Sequence, residues 1–190
     1  SGHTAHATGE EALEHSREML DVYAEAARDL LAIPVVRGRK TPTERFAGAE
    51  ETFTIEALMQ NGWALQAGTS HFLGQNFARA FDVRFSNKDQ AEDYVWATSW
   101  GVSTRLMGAL IMVHGDDKGV VIPSTVAPIQ VVLVPLGKGK STEQDAVIEA
   151  YAAKVMGPLQ RCGVRCHVDE RDQLKPGAKF FHWERRGVPL

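Results

Sequence analysis

The sequence is poor in cysteine, lacks a long apolar run and carries no excess of basic residues. Its two cysteines, Cys162 and Cys166, are too few for a disulfide-rich scaffold and favour a reducing compartment. No stretch has the length and apolarity of a transmembrane helix or a signal peptide, so we expect a soluble, cytoplasmic protein without a membrane partner. With 21 basic and 24 acidic residues the net charge is -3, which argues against general nucleic-acid binding and leaves room only for local RNA contacts.

The first two thirds of the sequence predict an α+β fold in which helices flank an antiparallel sheet. Thr8 and Glu11 have the spacing of a capping box, and apolar residues then recur on one helical face until Pro34 ends the pattern. A short strand follows. Two longer strands are predicted over 52–59 and 63–72, and the Asn-Gly pair between them is typical of a hairpin.

The rest of the sequence predicts a buried helix and then a parallel βαβ unit. Residues 106–113 are apolar on all sides, and a helix of that kind belongs inside a core. The β-branched run over 129–135 is typical of a strand that is buried on both faces. Ser141 can cap the helix that follows, and 164–168 form the next strand, so a second domain is expected to begin near Ile129.

One arginine stands at the head of the apolar helix, within the sequence SWGVSTRLMGALIMVHG of residues 99–115. A guanidinium does not lose its proton inside a protein, so burying it there is costly unless a carboxylate or a phosphate shares the cleft. The pattern indicates that Arg105 recognises phosphate, although a structural ion pair would be about as frequent for such an arginine taken alone. A lone His71 would likewise more often be a hydrogen-bonded core histidine than a ligand.

Three motifs, taken in order, resemble those of the class II prolyl-tRNA synthetases of the archaeal and eukaryotic-like type. They are residues 66–77 (QAGTSHFLGQNF), 100–105 (WGVSTR) and 113–119 (VHGDDKG). The similarity covers nearly the whole chain, because residues 2–8 resemble the tail of the family's second class II motif and 175–184 resemble the start of its anticodon-binding domain.

The resemblance implies a domain organisation. Residues 1–128 would form an incomplete class II catalytic core, an antiparallel sheet with flanking helices, and 129–190 would begin an α/β anticodon-binding domain. The editing domain of bacterial-type relatives has no counterpart in the interval between Thr8 and Thr98, which is filled by the predicted elements.

The resemblance also implies an activity: ATP-dependent activation of L-proline to prolyl-adenylate, followed by transfer of the prolyl group to tRNA(Pro). It implies ATP and Mg2+ as cofactors and a homodimer as the assembly. Arg105 is the implied catalytic residue. The implied site residues are Gln66, Thr69, Ser103 and Arg105 for ATP, His71, Trp100 and Gly101 for proline, and Gln66 for magnesium.

Strand geometry adds a test of this shared pocket. Strict alternation would place Thr69 and His71 on one face of a strand and Gln66 on the other. If all three serve one pocket, the strand contains a bulge at Ala67-Gly68, where glycine permits it. Trp100 and Phe72 could then supply apolar walls against which a pyrrolidine ring packs.

The family's first motif, its Thr-x-Glu proline loop and the arginine of its second motif are all expected upstream of Ser1. We therefore interpret the chain as part of a larger protein and expect it to be inactive in isolation. Two alternatives remain open: a threonyl-type class II synthetase and a non-catalytic tRNA-binding or regulatory paralogue.

Overall fold

The computed structural model describes residues 1–190, which form two compact units, Ser1–Val113 and His114–Leu190. The strands of the first unit are β1 (Gly2–His6), β2 (Val35–Arg39), β3 (Glu51–Leu58), β4 (Ala64–Gly74), β5 (Arg84–Ser86), β6 (Glu92–Tyr94) and β7 (Trp96–Gly101). Five of them form one antiparallel sheet in the order β1-β7-β4-β3-β2, and β5 pairs with β6. The predicted antiparallel α+β class is confirmed for this unit.

The helices of the first unit are α1 (Gly9–Glu25), which continues into a π-helical turn (Ala26–Leu30), α2 (Asn76–Ala80) and α3 (Arg105–His114), whose last residue begins the second unit. The Thr8 hydroxyl accepts a hydrogen bond from the Glu11 N–H at 3.2 Å, which confirms the predicted helix start. Helix α1 covers one face of the sheet. The core between them consists of Leu20, Ala24, Ala27, Phe53, Ile55 and Ala67.

The predicted hairpin between β3 and β4 is confirmed. At its turn the Met59 N–H donates to the carbonyl oxygen of Trp63 at 2.8 Å. Gly62 adopts a φ of +82°, a left-handed conformation that glycine takes without steric cost. The Asn-Gly pair therefore lies at the turn that joins β3 to β4 in register.

Helix α3 is not the fully buried helix that the sequence predicts. Ala109 is its only buried residue, and Leu110 and Val113 pack partly against the core. Met107 is 68% exposed and Ile111 is 56% exposed. The helix packs through one side because burial depends on which elements surround it, and apolarity on all sides does not provide those neighbours.

The second unit contains a short hairpin and a βαβ unit. Its elements are β8 (Gly115–Asp116), β9 (Gly119–Val120), β10 (Val131–Leu133), α4 (Thr142–Arg161), β11 (Cys166–Val168) and α5 (Pro176–Arg185). As predicted, β10 and β11 pair in parallel, and Ser141 caps α4 by accepting from the Gln144 N–H at 3.2 Å. No helix of either unit is both long enough and apolar enough to cross a membrane.

The strand predicted over 129–135 is shorter and less buried than expected. Strand β10 spans three residues, all of them half-buried, and β11 is its only strand partner. A β-branched run is buried on both faces only where other elements cover both sides of the sheet. A two-stranded sheet leaves much of this run partly exposed.

A buried carboxylate connects the residues after β11 with α5. Asp169 is 1% exposed, and it accepts hydrogen bonds from Nε of Arg171 at 2.8 Å and from Nε1 of Trp183 at 2.8 Å. The Arg171 guanidinium, assisted by the Trp183 N–H, holds the pKa of Asp169 well below its ordinary value although burial acts in the opposite direction. This network fixes α5 within the second unit.

Candidate active site

Strand β4 contains a bulge at the predicted position. Gln66 pairs with Glu56 and Gly68 pairs with Ile55, so Ala67 has no partner on β3. Cross-strand partners share a face of the sheet, and the extra residue reverses the alternation along the strand. The predicted bulge at Ala67-Gly68 is therefore confirmed.

Glycine is required at position 68 for space. A Cβ on Gly68 would lie 3.0 Å from Cγ1 of Val102 and 3.3 Å from Cγ1 of Ile55. Gly68 is not among the glycines with positive φ, so the requirement comes from close approach and not from a left-handed backbone. The Thr54 hydroxyl donates to the Gly68 carbonyl oxygen at 3.3 Å, which ties β3 to the bulge.

The bulge places Gln66, Thr69 and His71 on the sheet face opposite α1. A cavity of about 250 Å³ lies there, formed by β4, β7 and the start of α3. It is lined by every residue that the resemblance implicates: Gln66, Thr69, His71, Trp100, Gly101, Ser103 and Arg105. The structure thus brings the positions expected to contact ATP and those expected to contact proline into one cavity.

Arg105 lies at this cavity but is exposed, so the premise of a buried guanidinium is wrong. The side chain lines the cavity, and Nη1 donates to the main-chain oxygen of Gln66 at 3.2 Å. The Arg105 N–H donates to Oγ of Ser103 at 3.3 Å, which caps the start of α3. Arg105 takes part in none of the ion pairs of the structure, so its charge is available to an anion.

His71 is held at the cavity by the neighbouring strand. Its Nδ1 lies 3.0 Å from the hydroxyl oxygen of Thr52, which is 1% exposed. Burial, and secondly the positive charge of Lys40, lower the pKa of His71 below its ordinary value. A neutral imidazole at this position offers one N–H donor and one acceptor.

The apolar wall predicted from Trp100 and Phe72 is not formed. Trp100 pairs with Ser70 on the face beneath α1, where its indole ring lies 6.3 Å from the ring of Tyr23. The Phe72 ring stacks on Trp96 on that same face. Strand alternation explains both placements, because each residue directly follows one that faces the cavity.

Phe46 supplies the aromatic contact instead. Its ring centroid lies 4.9 Å from that of His71, and its N–H donates to the Thr52 hydroxyl oxygen at 3.3 Å. The loop between β2 and β3 therefore contributes to the site. The sequence motifs alone did not assign this contact.

Two charged residues beside Gln66 were also missed by sequence reasoning. Glu56 is the direct cross-strand partner of Gln66 and shares its face. The ammonium of Lys40 donates to Oε1 of Gln66. Both lie on the open face by the register of the sheet, since Lys40 continues the β2–β3 pairing opposite Thr52, and that register is the signal that could have revealed them.

A second cavity of about 370 Å³ adjoins these two residues on the same sheet face. Lys40, Thr54 and Glu56 are among the residues that line it. Lys40 lines this cavity and bonds to Gln66, which lines the other. The open face of the sheet therefore carries two neighbouring cavities, with the Lys40 ammonium between them.

Comparisons with known proteins agree with this arrangement. Residues 130–190 match the family model described as an anticodon binding domain. The chain is 59% identical over 189 residues to a proline--tRNA ligase of Flavobacterium johnsoniae and 58% identical over 189 residues to one of Bacteroides fragilis. Each alignment covers 100% of this chain and 38% of the relative.

Solved structures give the same result. A prolyl-tRNA synthetase from Cryptosporidium parvum complexed with L-proline and AMP matches with a TM-score of 0.89 and 43% identity, over 98% of this chain and 40% of the other. The same enzyme complexed with halofuginone and AMPPNP matches with a TM-score of 0.90. The chain spans about two fifths of the length of its relatives. In sequence and in fold it thus corresponds, over its whole length, to a segment of the prolyl-tRNA synthetases.

Proposed function

We propose that this chain forms part of the catalytic site of a proline--tRNA ligase. In this reaction a carboxylate oxygen of L-proline attacks the α-phosphorus of ATP, and the bond from that phosphorus to pyrophosphate breaks. A terminal ribose hydroxyl of tRNA(Pro) then attacks the prolyl carbonyl, and AMP leaves. The observation that carries the proposal is the single cavity at the bulge of β4, which both the nucleotide and the amino-acid positions line.

Arg105 acts by countering phosphate charge. Its guanidinium lies at the cavity without a carboxylate partner, and a planar fork of donors binds phosphate oxygens in a bidentate manner. Thr69 and Ser103 offer hydroxyl groups to the same nucleotide. Adenylate formation depends mostly on positioning and charge neutralisation, which these groups can provide without a covalent intermediate.

His71, with Gly101, contributes to the proline side of the cavity. The lowered pKa keeps its imidazole neutral near pH 7, so it can donate or accept a hydrogen bond without repelling the prolinium nitrogen. Thr52 orients the ring through Nδ1, which leaves Nε2 for a ligand. The Phe46 ring restricts the imidazole from the other side.

Two residues at the bulge fit a magnesium ion. Gln66 Oε1 is a neutral oxygen donor, and Glu56 supplies a carboxylate directly opposite on the same face. Magnesium usually binds one or two carboxylates together with substrate phosphates. Gln66 Oε1 already accepts from the Lys40 ammonium, so the position favours a cation. When bound, the ion neutralises phosphate charge and polarises a phosphoryl oxygen.

Helix α5 offers a surface for tRNA. Phe180 and Phe181 are 52% and 60% exposed, and Cζ of Arg185 lies 5.8 Å from the Phe181 ring centroid. Exposed aromatic rings beside a guanidinium suit stacking by unpaired RNA bases. This helix lies within the segment that matches the anticodon binding domain, which supports an anticodon contact.

The assembly and setting follow from the same assignment. We expect the complete enzyme to be a cytoplasmic homodimer, and its size in solution tests the assembly. The isolated chain spans about two fifths of the length of its relatives and is expected to lack adenylate formation by itself. The alternatives of a threonyl-type enzyme and a regulatory paralogue receive no support from the relatives named above, which are proline--tRNA ligases.

Amino-acid-dependent exchange of pyrophosphate into ATP tests the proposed function. The complete synthetase carrying this segment should exchange with proline and not with threonine. Exchange with threonine would show that the protein is a threonyl-type class II synthetase. A folded complete protein that exchanges with neither amino acid would instead be a non-catalytic paralogue.

A further inference from the structure

Two cations converge on the two oxygen atoms of one residue. The Arg105 guanidinium donates to the main-chain oxygen of Gln66 at 3.2 Å, and the Lys40 ammonium donates to its side-chain oxygen Oε1. Neither cation forms an ion pair with a carboxylate. The polar face of the sheet therefore holds a pair of positive charges whose contacts are only neutral oxygens.

The backbone of Lys40 is fixed while its charge is only weakly satisfied. Its N–H donates to the carbonyl oxygen of Thr52 at 2.9 Å, which extends the β2–β3 pairing by one residue. The side chain is half-buried between the two cavities. An ammonium has three donors, and an amide oxygen stabilises it less than a carboxylate or phosphate would.

Lys40 also occupies the atom that a divalent ion would need. Gln66 Oε1 is the oxygen donor that fits magnesium beside Glu56, and an ammonium bonded to it repels a second cation at that distance. The four-carbon stem of lysine is flexible, so the ammonium can leave this oxygen without movement of the strand. The neighbouring cavity gives it space to do so.

We infer that Lys40 is a positioning residue that holds Gln66 Oε1 in the absence of a divalent ion and moves to the phosphates of ATP when the ion takes that oxygen. This inference rests on the proposed function for its nucleotide step. Lys40 then has two effects. Its ammonium weakens the binding of a metal ion in the absence of nucleotide, and it strengthens the binding of the metal–nucleotide complex.

Manganese alone is the probe for the first effect, because paramagnetic Mn2+ broadens NMR signals near its binding site. In the 190-residue chain, the Gln66 side-chain amide signal of Lys40→Met should broaden at about tenfold lower Mn2+ concentration than in wild type. Lys40→Arg should stay close to wild type, and Lys88→Met, which removes an exposed lysine of the same unit, should match it. Equal broadening in Lys40→Met and wild type, or none in either, would overturn the competition.

A non-hydrolysable ATP analogue with excess Mg2+ probes the second effect in the complete synthetase. Lys40→Met should bind the analogue about tenfold more weakly than wild type, while Lys88→Met binds it equally well. Equal binding by Lys40→Met and wild type would remove Lys40 from the nucleotide step and leave the proposed function intact. Failure of wild type itself to bind the analogue would refute the proposed function, and the manganese experiment would then decide the role of Lys40 alone.

Discussion

Nη1 of Arg105 donates to the main-chain oxygen of Gln66 at 3.2 Å, so a hydrogen bond connects two residues that lie 39 positions apart in the sequence. The contact joins the start of α3 to the bulge of β4. The direction of the guanidinium thus depends on the irregular backbone of the strand. A change at either element is expected to disturb the same side of the cavity.

Replacement of Arg105 tests its proposed role. In the complete synthetase, Arg105→Lys or Arg105→Ala should reduce proline-dependent pyrophosphate exchange by roughly 10²–10³-fold, because removing one preorganised donor costs about 2.7–4 kcal/mol. Arg28→Ala removes an exposed arginine from the π-helical turn that follows α1 and serves as the control. Near-normal exchange in both Arg105 variants would remove this residue from the site.

The space at Gly68 predicts the effect of a larger side chain. Gly68→Val should lower the free energy of unfolding by about 1–3 kcal/mol, because its Cβ would press on Val102 and Ile55. Gly38→Val is a matched control on β2, where the nearest atom to a new Cβ lies 4.0 Å away. Urea unfolding of both variants measures the difference, and equal stability would contradict the close packing at the bulge.

The lowered pKa of His71 predicts a dependence of stability on pH. Between its folded value and the ordinary 6.5, the unfolded chain binds more protons at this residue than the folded chain does. The free energy of unfolding should therefore fall as the pH drops below 6.5 and level off below the folded pKa. Unfolding measured at about pH 7.5 and about pH 5.5 should show a smaller decrease in His71→Gln than in wild type. An identical decrease in both proteins would contradict the prediction.

Asp169 should be important for the stability of the second unit. Asp169→Asn is expected to destabilise it by about 3 kcal/mol, since the change weakens the buried contacts to Arg171 and Trp183. The exposed Asp172→Asn should change stability by less than about 0.5 kcal/mol. In wild type, the contribution of Asp169 is present above its ordinary pKa of 3.8 and is lost in more acidic solution. Thermal unfolding checks both variants.

An aromatic residue of α5 gives a test of the proposed tRNA surface. In the complete protein, Phe181→Ala should weaken binding of tRNA(Pro) by about 1–3 kcal/mol, the usual contribution of one stacked base. Tyr151→Ala removes another exposed aromatic ring from the same unit and should leave affinity unchanged. Filter binding measures both. Equal loss in the two variants would indicate a general effect on the unit and no specific stacking.

Much of the first unit was predictable because its signals are local. The capping pair Thr8 and Glu11 and the Asn-Gly turn each depend on a few neighbouring residues, and both appear in the structure as expected. The bulge was predictable for another reason. The resemblance assigns Gln66, Thr69 and His71 to one pocket, and these three residues could not share a face of a regular strand.

The errors concern features that depend on distant neighbours. The apolar pattern of α3 does not reveal that only one side of the helix meets the core. The exposure of Arg105 follows from that same placement. Lys40 and Glu56 were missed because their position beside Gln66 depends on the pairing of three strands, which no single motif contains.

The unpaired Ala67 gives β4 two halves of opposite parity. Before it, even-numbered side chains such as Gln66 face the open side and Leu65 packs on the covered side, whereas after it the odd-numbered Thr69 and His71 face the open side. Deleting the one extra residue would restore a regular ladder in which Gln66, Thr69 and His71 still share the open side, because each half of the strand already keeps its pairing with β3. The bulge thus accommodates one added residue without changing the face on which any site residue lies.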